Sequence, residues 1–249
     1  MRKLLDAEFH RLFKDQWFIL TAAVMIMLFT MFIMLEPRDA GNGGVTFAAN
    51  LMCFVPGVFI PNFIGAEYND GTIRNKLARG VRRGSVLCTY LIVSVAASLI
   101  IYAFCFPVIW LSVITSGVSD ISDEKYLEII NDILAIILLS VICVFFSVLI
   151  HSRAGSVIAS QVFTWLSVLI AYGYNDRSSF LFNIIERLPF CQSLRFYSRY
   201  ILDLRFDFPD LDDSTRFALI IAGSAVLNLL ITAALAAAGI LIFRKQDIK

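Results

Sequence analysis

Six long runs of this 249-residue chain carry almost no charge, and each is as long as a bilayer crossing. They fall at about 16–35, 46–66, 85–119, 130–150, 154–174 and 217–243. About 20 apolar residues in a helix span the hydrocarbon layer. Lipid offers no partner to a backbone amide, so each such run must satisfy its own hydrogen bonds as a helix. The chain is 59% hydrophobic and 16% charged, where soluble domains average about 45–50% and about 25%. Its charges gather between the runs, so the net charge of +1 says little and the distribution says much. The expected fold is an all-α integral membrane protein with six transmembrane helices, forming a single transmembrane domain over residues 1–249.

Cations set the expected orientation, because basic loops stay on the cytosolic side. With the N-terminus inside, that side receives Arg2, Lys3, Arg11 and Lys14, then Arg74, Lys76, Arg79, Arg82 and Arg83, then Arg153, and finally Arg244, Lys245 and Lys249. The two short outer loops hold only Arg38 and Lys125. The segment 174–216 dissents with six arginines, offset by acids from Asp176 to Asp213. The expectation is a multi-pass plasma-membrane protein with both termini cytoplasmic.

Residues 1–15 read as an amphipathic interfacial helix. Leu4, Leu5, Phe9, Leu12 and Phe13 share one side and Lys3, Asp6, His10, Arg11 and Lys14 the other, while Glu8 intrudes on the apolar face. Such a helix would lie in the headgroup layer. Arg2 and Lys3 lead into this mixed stretch, which does not read as a cleavable signal peptide. In the second run Pro56 and Pro61 each remove a backbone donor and should bend or break the helix, as a gating flex or a static kink. Pro107 marks a bend in the third. Between 174 and 216, Phe180, Leu181, Ile184, Ile185 and Leu188, then Leu194, Tyr197, Ile201 and Leu204, recur at helical spacing on either side of Pro189. Two short outer-face helices broken at Pro189 are expected there.

Reactive constellations are absent from the sequence. No phosphate-cradling GxxxxGK[ST] loop, HExxH motif or Ser-His-Asp set occurs, so no catalytic residue is assigned. Cys53, Cys88, Cys105, Cys143 and Cys191 form no CxxC, and with two histidines no metal site is expected. Asp132 sits at a span end where water can reach it, and His151 and Arg153 form a tight inner turn. The scarcity of buried charge argues against a proton- or sodium-coupled transporter.

The distinctive stretch lies within 67–84: Glu67, Tyr68, Asn69, Asp70, Gly71, Thr72, Ile73, Arg74, Asn75, Lys76, Leu77, Ala78, Arg79, Gly80. Gly71 supplies a turn. Thr72 reads as an N-cap, Ile73 to Arg79 as a short helix, and Gly80 as its stop. The plain alternative is a positive loop that only fixes topology. This stretch, placed after the second run, resembles the coupling segment of type-two ABC exporter permeases. Leu188-Pro189-Phe190-Cys191-Gln192 and the ending Phe243 to Lys249 resemble the same family, although many members carry Gly at the position of Cys191.

The resemblance implies a permease subunit of an ATP-driven exporter, moving a hydrophobic or peptide-like substrate out of the cell. It implies pairing with a second permease copy or a paralogous permease, each half docking a separate ABC ATPase. ATP and Mg would be bound by that partner, leaving no cofactor in this chain and no ATPase activity of its own. It assigns ATPase coupling to Glu67, Tyr68, Asp70, Gly71, Thr72, Ile73, Arg74, Asn75 and Lys76, and gating or kinking to Pro56, Pro61 and Pro189. Membrane lipid is the remaining partner, and nucleic acid is not one. The competing classes are a non-transporting scaffold, sensor or immunity protein, and a secondary transporter.

Overall fold

A computed structural model describes residues 2–35, 54–115, 123–173 and 213–245. Among these the chain forms eight helices and no strand. They are α1 (Arg2–Lys14), α2 (Gln16–Leu35), α3 (Val55–Asn69), α4 (Thr72–Ala78), α5 (Arg83–Thr115), α6 (Asp123–Ile150), α7 (Arg153–Gly173) and α8 (Asp213–Lys245). Two stretches, Arg83–Pro107 of α5 and Ile133–Ile150 of α6, are long and apolar enough to cross a membrane. The helices expected on either side of Pro189, and Pro189 itself, lie outside the described residues.

α6 occupies the centre, packed against α3, α5, α7 and α8, while α2 lies along α5 and α3. The buried face of α5 runs through Leu87, Tyr90, Ser94, Ala97, Ile101 and Cys105, spaced three or four apart as a helix facing a neighbour requires. Small residues let α5 and α6 approach, and the Ser140 hydroxyl donates to the Ser98 hydroxyl across them at 3.0 Å. Cys105 and Cys143 are buried free thiols, in keeping with apolar filling.

α3 and α7 come closer still. A Cβ on Gly65 would stand 2.7 Å from the Arg153 Cα, and one on Gly57 would stand 2.7 Å from Gln161 Nε2. The Gln161 amide can swing aside, whereas the Arg153 backbone cannot. Gly65→Ala is therefore expected to push α3 off α7 and to cost about 1–3 kcal/mol, as overpacking does. Thermal unfolding in detergent checks this, and an unchanged midpoint would contradict the contact.

Several boundaries depart from the sequence reading. Pro56 sits in the first turn of α3, where its missing N–H has no intrahelical partner to lose, so the described helix begins at Val55, within the run 46–66. Pro61 is interior, yet α3 continues through it. The Asn62 amide donates to the Val58 carbonyl at 2.8 Å, an extra bond within the turn that the proline interrupts. α5 runs through Pro107 to Thr115 as one helix. α6 begins at Asp123, so Lys125, expected in a loop, is helical. The α6–α7 turn is tight, with His151 at φ 54. Asp15 ends α1 and caps α2, its carboxylate accepting from the Trp17 N–H at 3.0 Å.

Candidate functional site

α4 is a seven-residue helix held rigid at both ends. Gly71 precedes it at φ 68 in the left-handed region, which L side chains reach only with strain. Thr72 is the first helical residue rather than the cap. Its hydroxyl donates back to the Glu67 carbonyl at 3.2 Å, tying α4 to the end of α3. At the far end Gly80, also left-handed at φ 83, donates to the Leu77 carbonyl at 2.9 Å, and Val81 donates to the Lys76 carbonyl at 3.3 Å. These two bonds form a Schellman closure, which satisfies carbonyls that a helix end otherwise leaves open. Ile73 is buried and Leu77 packs on the core, so the apolar side of α4 faces the protein.

Where α1, α3, α4 and α5 converge, four charges are gathered, the two carboxylates buried and the two cations partly exposed. Glu67, at the end of α3, is completely buried and Glu8 of α1 is nearly so. Lys76 donates to Glu67 Oε2 at 2.6 Å and also bonds Glu8 Oε1. Arg11 pairs with Glu67 Oε1, reaches Glu8 Oε2 at 3.5 Å and donates to the Phe63 carbonyl at 2.9 Å. The Tyr90 hydroxyl donates to Glu67 Oε2, bringing in α5. The Arg11 guanidinium also stacks over the Phe63 ring, 4.4 Å from its centroid. Two carboxylates face two cations, so the cluster is neutral as a whole. Each ion would cost several kcal/mol to bury alone, and pairing is what makes the arrangement tolerable. Burial pushes the Lys76 ammonium below the ordinary lysine range, and its hydrogen bond to Glu8 opposes that shift.

The Tyr68 ring meets His151 edge-on at 4.8 Å. Burial raises the Tyr68 phenol well above its usual range, so it stays neutral. Arg153 Nε donates to Asn62 Oδ1 at 2.9 Å, and its guanidinium lies 5.4 Å from the centre of the Trp17 ring. The α6–α7 turn is thereby fastened to the same end of the bundle.

Of the expected coupling residues, the structure brings Glu67 and Lys76 into one cluster and buries Ile73 beneath α4. Asp70, Arg74 and Asn75 stay exposed. Lys76, read from the sequence as an outward contact, turns inward. Glu8, Arg11 and Tyr90 were missed. An acid on the apolar face of an amphipathic helix was the available signal for Glu8, and Arg11 follows it one turn later. Tyr90 gave none, being one aromatic among many. On the apolar face of α1, Leu12 is fully buried and Leu4, Leu5 and Phe9 pack on the core, so much of this face meets protein, while Phe13 stays exposed. No protein family model, characterised protein or solved structure matches the chain.

Proposed function

We propose that the chain is the transmembrane subunit of an ATP-driven exporter, energised by a separate ATPase that engages α4. The observation that carries this reading is the mounting of α4. A free loop that only fixed topology would need no left-handed glycine at its start, no Schellman closure at its end and no buried ionic joint beneath it. A push on α4 is delivered through Glu67 to α3, through Tyr90 to α5 and through Glu8 and Arg11 to α1.

The six-span arrangement, with α1 and α4 cytosolic, belongs to the same proposal. Large apolar side chains stand exposed along α2 (Ile19, Leu20, Val24, Met27), α7 (Ile158, Val162, Trp165) and α8 (Leu229, Leu230, Leu241). Water would not tolerate stripes of this size on a monomer, and lipid would. The basic residues flanking α4 suit the cytosolic side. A hydrophobic or peptide-like cargo fits spans that carry so little buried charge.

Gly71 supplies the test. A Cβ there meets nothing within 4 Å, so only backbone strain opposes substitution. The left-handed region costs an ordinary residue about 1–2 kcal/mol, a β-branched one more, and asparagine least. In chain purified from its native membrane in mild detergent, an ATP-hydrolysing subunit is expected to accompany wild type and Gly71→Asn. It should be lost from Gly71→Val, with membrane insertion unchanged in all three. The chain stripped of that subunit should hydrolyse no ATP. A wild-type preparation that never carries such a subunit would overturn the reading.

A further inference from the structure

We infer that the gap between α2 and α7, floored by α3, holds an anionic phospholipid with its phosphate on Arg153 and an acyl chain running past Val58. The inference rests on the membrane placement proposed above and not on the ATPase. Its starting point is a cation without a counter-charge. Arg11 and Lys76, the partly exposed cations of the ionic cluster, each reach two carboxylates. Arg153 is also only partly exposed, yet no carboxylate among the described residues lies within ion-pair reach of it. Its Nε donates to the neutral Asn62 side chain, and one face of its guanidinium lies against the Trp17 ring. The terminal nitrogens have no hydrogen-bond acceptor among the described residues. Asp15, two residues before Trp17, has its carboxylate turned to the Trp17 N–H.

The surroundings of Arg153 favour a lipid over a free anion. Asn62 looks into the gap toward Arg153, and Val58 stands one turn away on the same face of α3. α3 packs against α2, α6 and α7, yet Val58 is exposed, so its neighbours do not close over it. Leu20 and Val24, one and two turns beyond Trp17 on α2, are exposed as well. The gap is therefore polar and positive at one end and apolar beyond it, which is the pattern of an amphiphile. Lys14, exposed three residues before Trp17, adds to the positive charge at that end. An indole belongs at headgroup level, and a guanidinium holds phosphate oxygens through two parallel hydrogen bonds. Basic pockets between spans on the cytoplasmic side take anionic head groups. A free phosphate would leave the apolar floor unused.

The test uses the full chain, purified in mild detergent and stripped of lipid, with phosphatidylglycerol and phosphatidylcholine as probes and native mass spectrometry as the readout. Wild type should bind phosphatidylglycerol about tenfold more tightly than phosphatidylcholine, the scale of one charge-assisted hydrogen bond. Arg153→Gln should erase that preference, and Arg153→Lys should keep part of it. Val58→Trp leaves the polar end untouched and fills the floor instead. It should weaken phosphatidylglycerol by a similar factor, which decides the matter even where Arg153→Gln fails to fold. Equal binding of the two lipids by wild type would overturn the inference. Displacement of phosphatidylglycerol by inorganic phosphate would also overturn it, because the site would then hold a free anion. Val58→Cys chains that cross-link to one another in the native membrane would show a second copy covering the gap, and the inference would fall. A wild-type chain recovered from the aqueous fraction would sink the membrane placement first, and the lipid site with it.

Discussion

Glu67→Gln is expected to cost about 3–5 kcal/mol, the range for breaking a buried ion pair by removing one partner. The change keeps nearly the same shape and removes one charge. Lys76, about one-fifth exposed, would then share Glu8 alone, and the new amide would turn its donors toward either Lys76 or Arg11, which are donors themselves. Arg11 is about one-third exposed, so water relieves part of its share and places the effect toward the lower end. Thermal unfolding of the detergent-solubilised chain measures the loss. Adding Lys76→Gln makes the cluster neutral again, with Arg11 facing Glu8, and should restore more than half of the lost stability. A single variant as stable as wild type would show that the four charges do not act as one unit.

Lys76→Glu should be more damaging than Arg74→Glu, although both reverse a cation on the same short helix. At Lys76, about one-fifth exposed, the new carboxylate would face the buried Glu8 and Glu67 with Arg11 as their remaining cation. The expected penalty exceeds the about 3–5 kcal/mol of a lost pair, enough to unfold a domain whose total stability is about 5–15 kcal/mol. At Arg74 the side chain is exposed, and a surface change of this kind stays within about 0.5 kcal/mol. Size-exclusion profiles separate the two: Arg74→Glu should elute as wild type, and Lys76→Glu should aggregate or free residues 2–14 to rapid hydrogen exchange. Equal behaviour of the two variants would contradict the inward placement of Lys76.

Sequence pattern located α2, α5, α7 and α8 closely because uncharged length is a strong and local signal, whereas the described helix in the run 46–66 begins only at Val55. It also located α4, because Gly71 and Gly80 bracket it and each adopts the left-handed conformation that glycine permits. Pattern failed where a residue's role depends on a distant partner. Lys76 looked like one cation among five on a basic loop, and its inward turn is decided by Glu8, 68 residues earlier. Thr72 looked like a cap because threonine often is one. The backbone turn at Gly71 moves it one place into the helix and aims its hydroxyl at Glu67 instead. The start of α6 was set too late because Glu124, Lys125 and Glu128 broke the apolar run, and charge ends a span without ending a helix. On α1, amphipathicity states that a face will be buried and not what will bury it, and here Leu12 meets protein while Phe13 stays exposed. Glu8 held the missing information, since a carboxylate on that face fits no lipid environment and demands a cation from elsewhere in the chain.

The long reach of those contacts also orders events during synthesis. α1 precedes every other described element, yet its charges have no home until α3 supplies Glu67, α4 supplies Lys76 and α5 supplies Tyr90. Among the described helices α1 is therefore the one whose ion partners come from furthest along the chain, Lys76 standing 68 residues after Glu8. A chain whose α4 is misplaced would therefore leave Glu8 of α1 without Lys76, its cation from outside the helix.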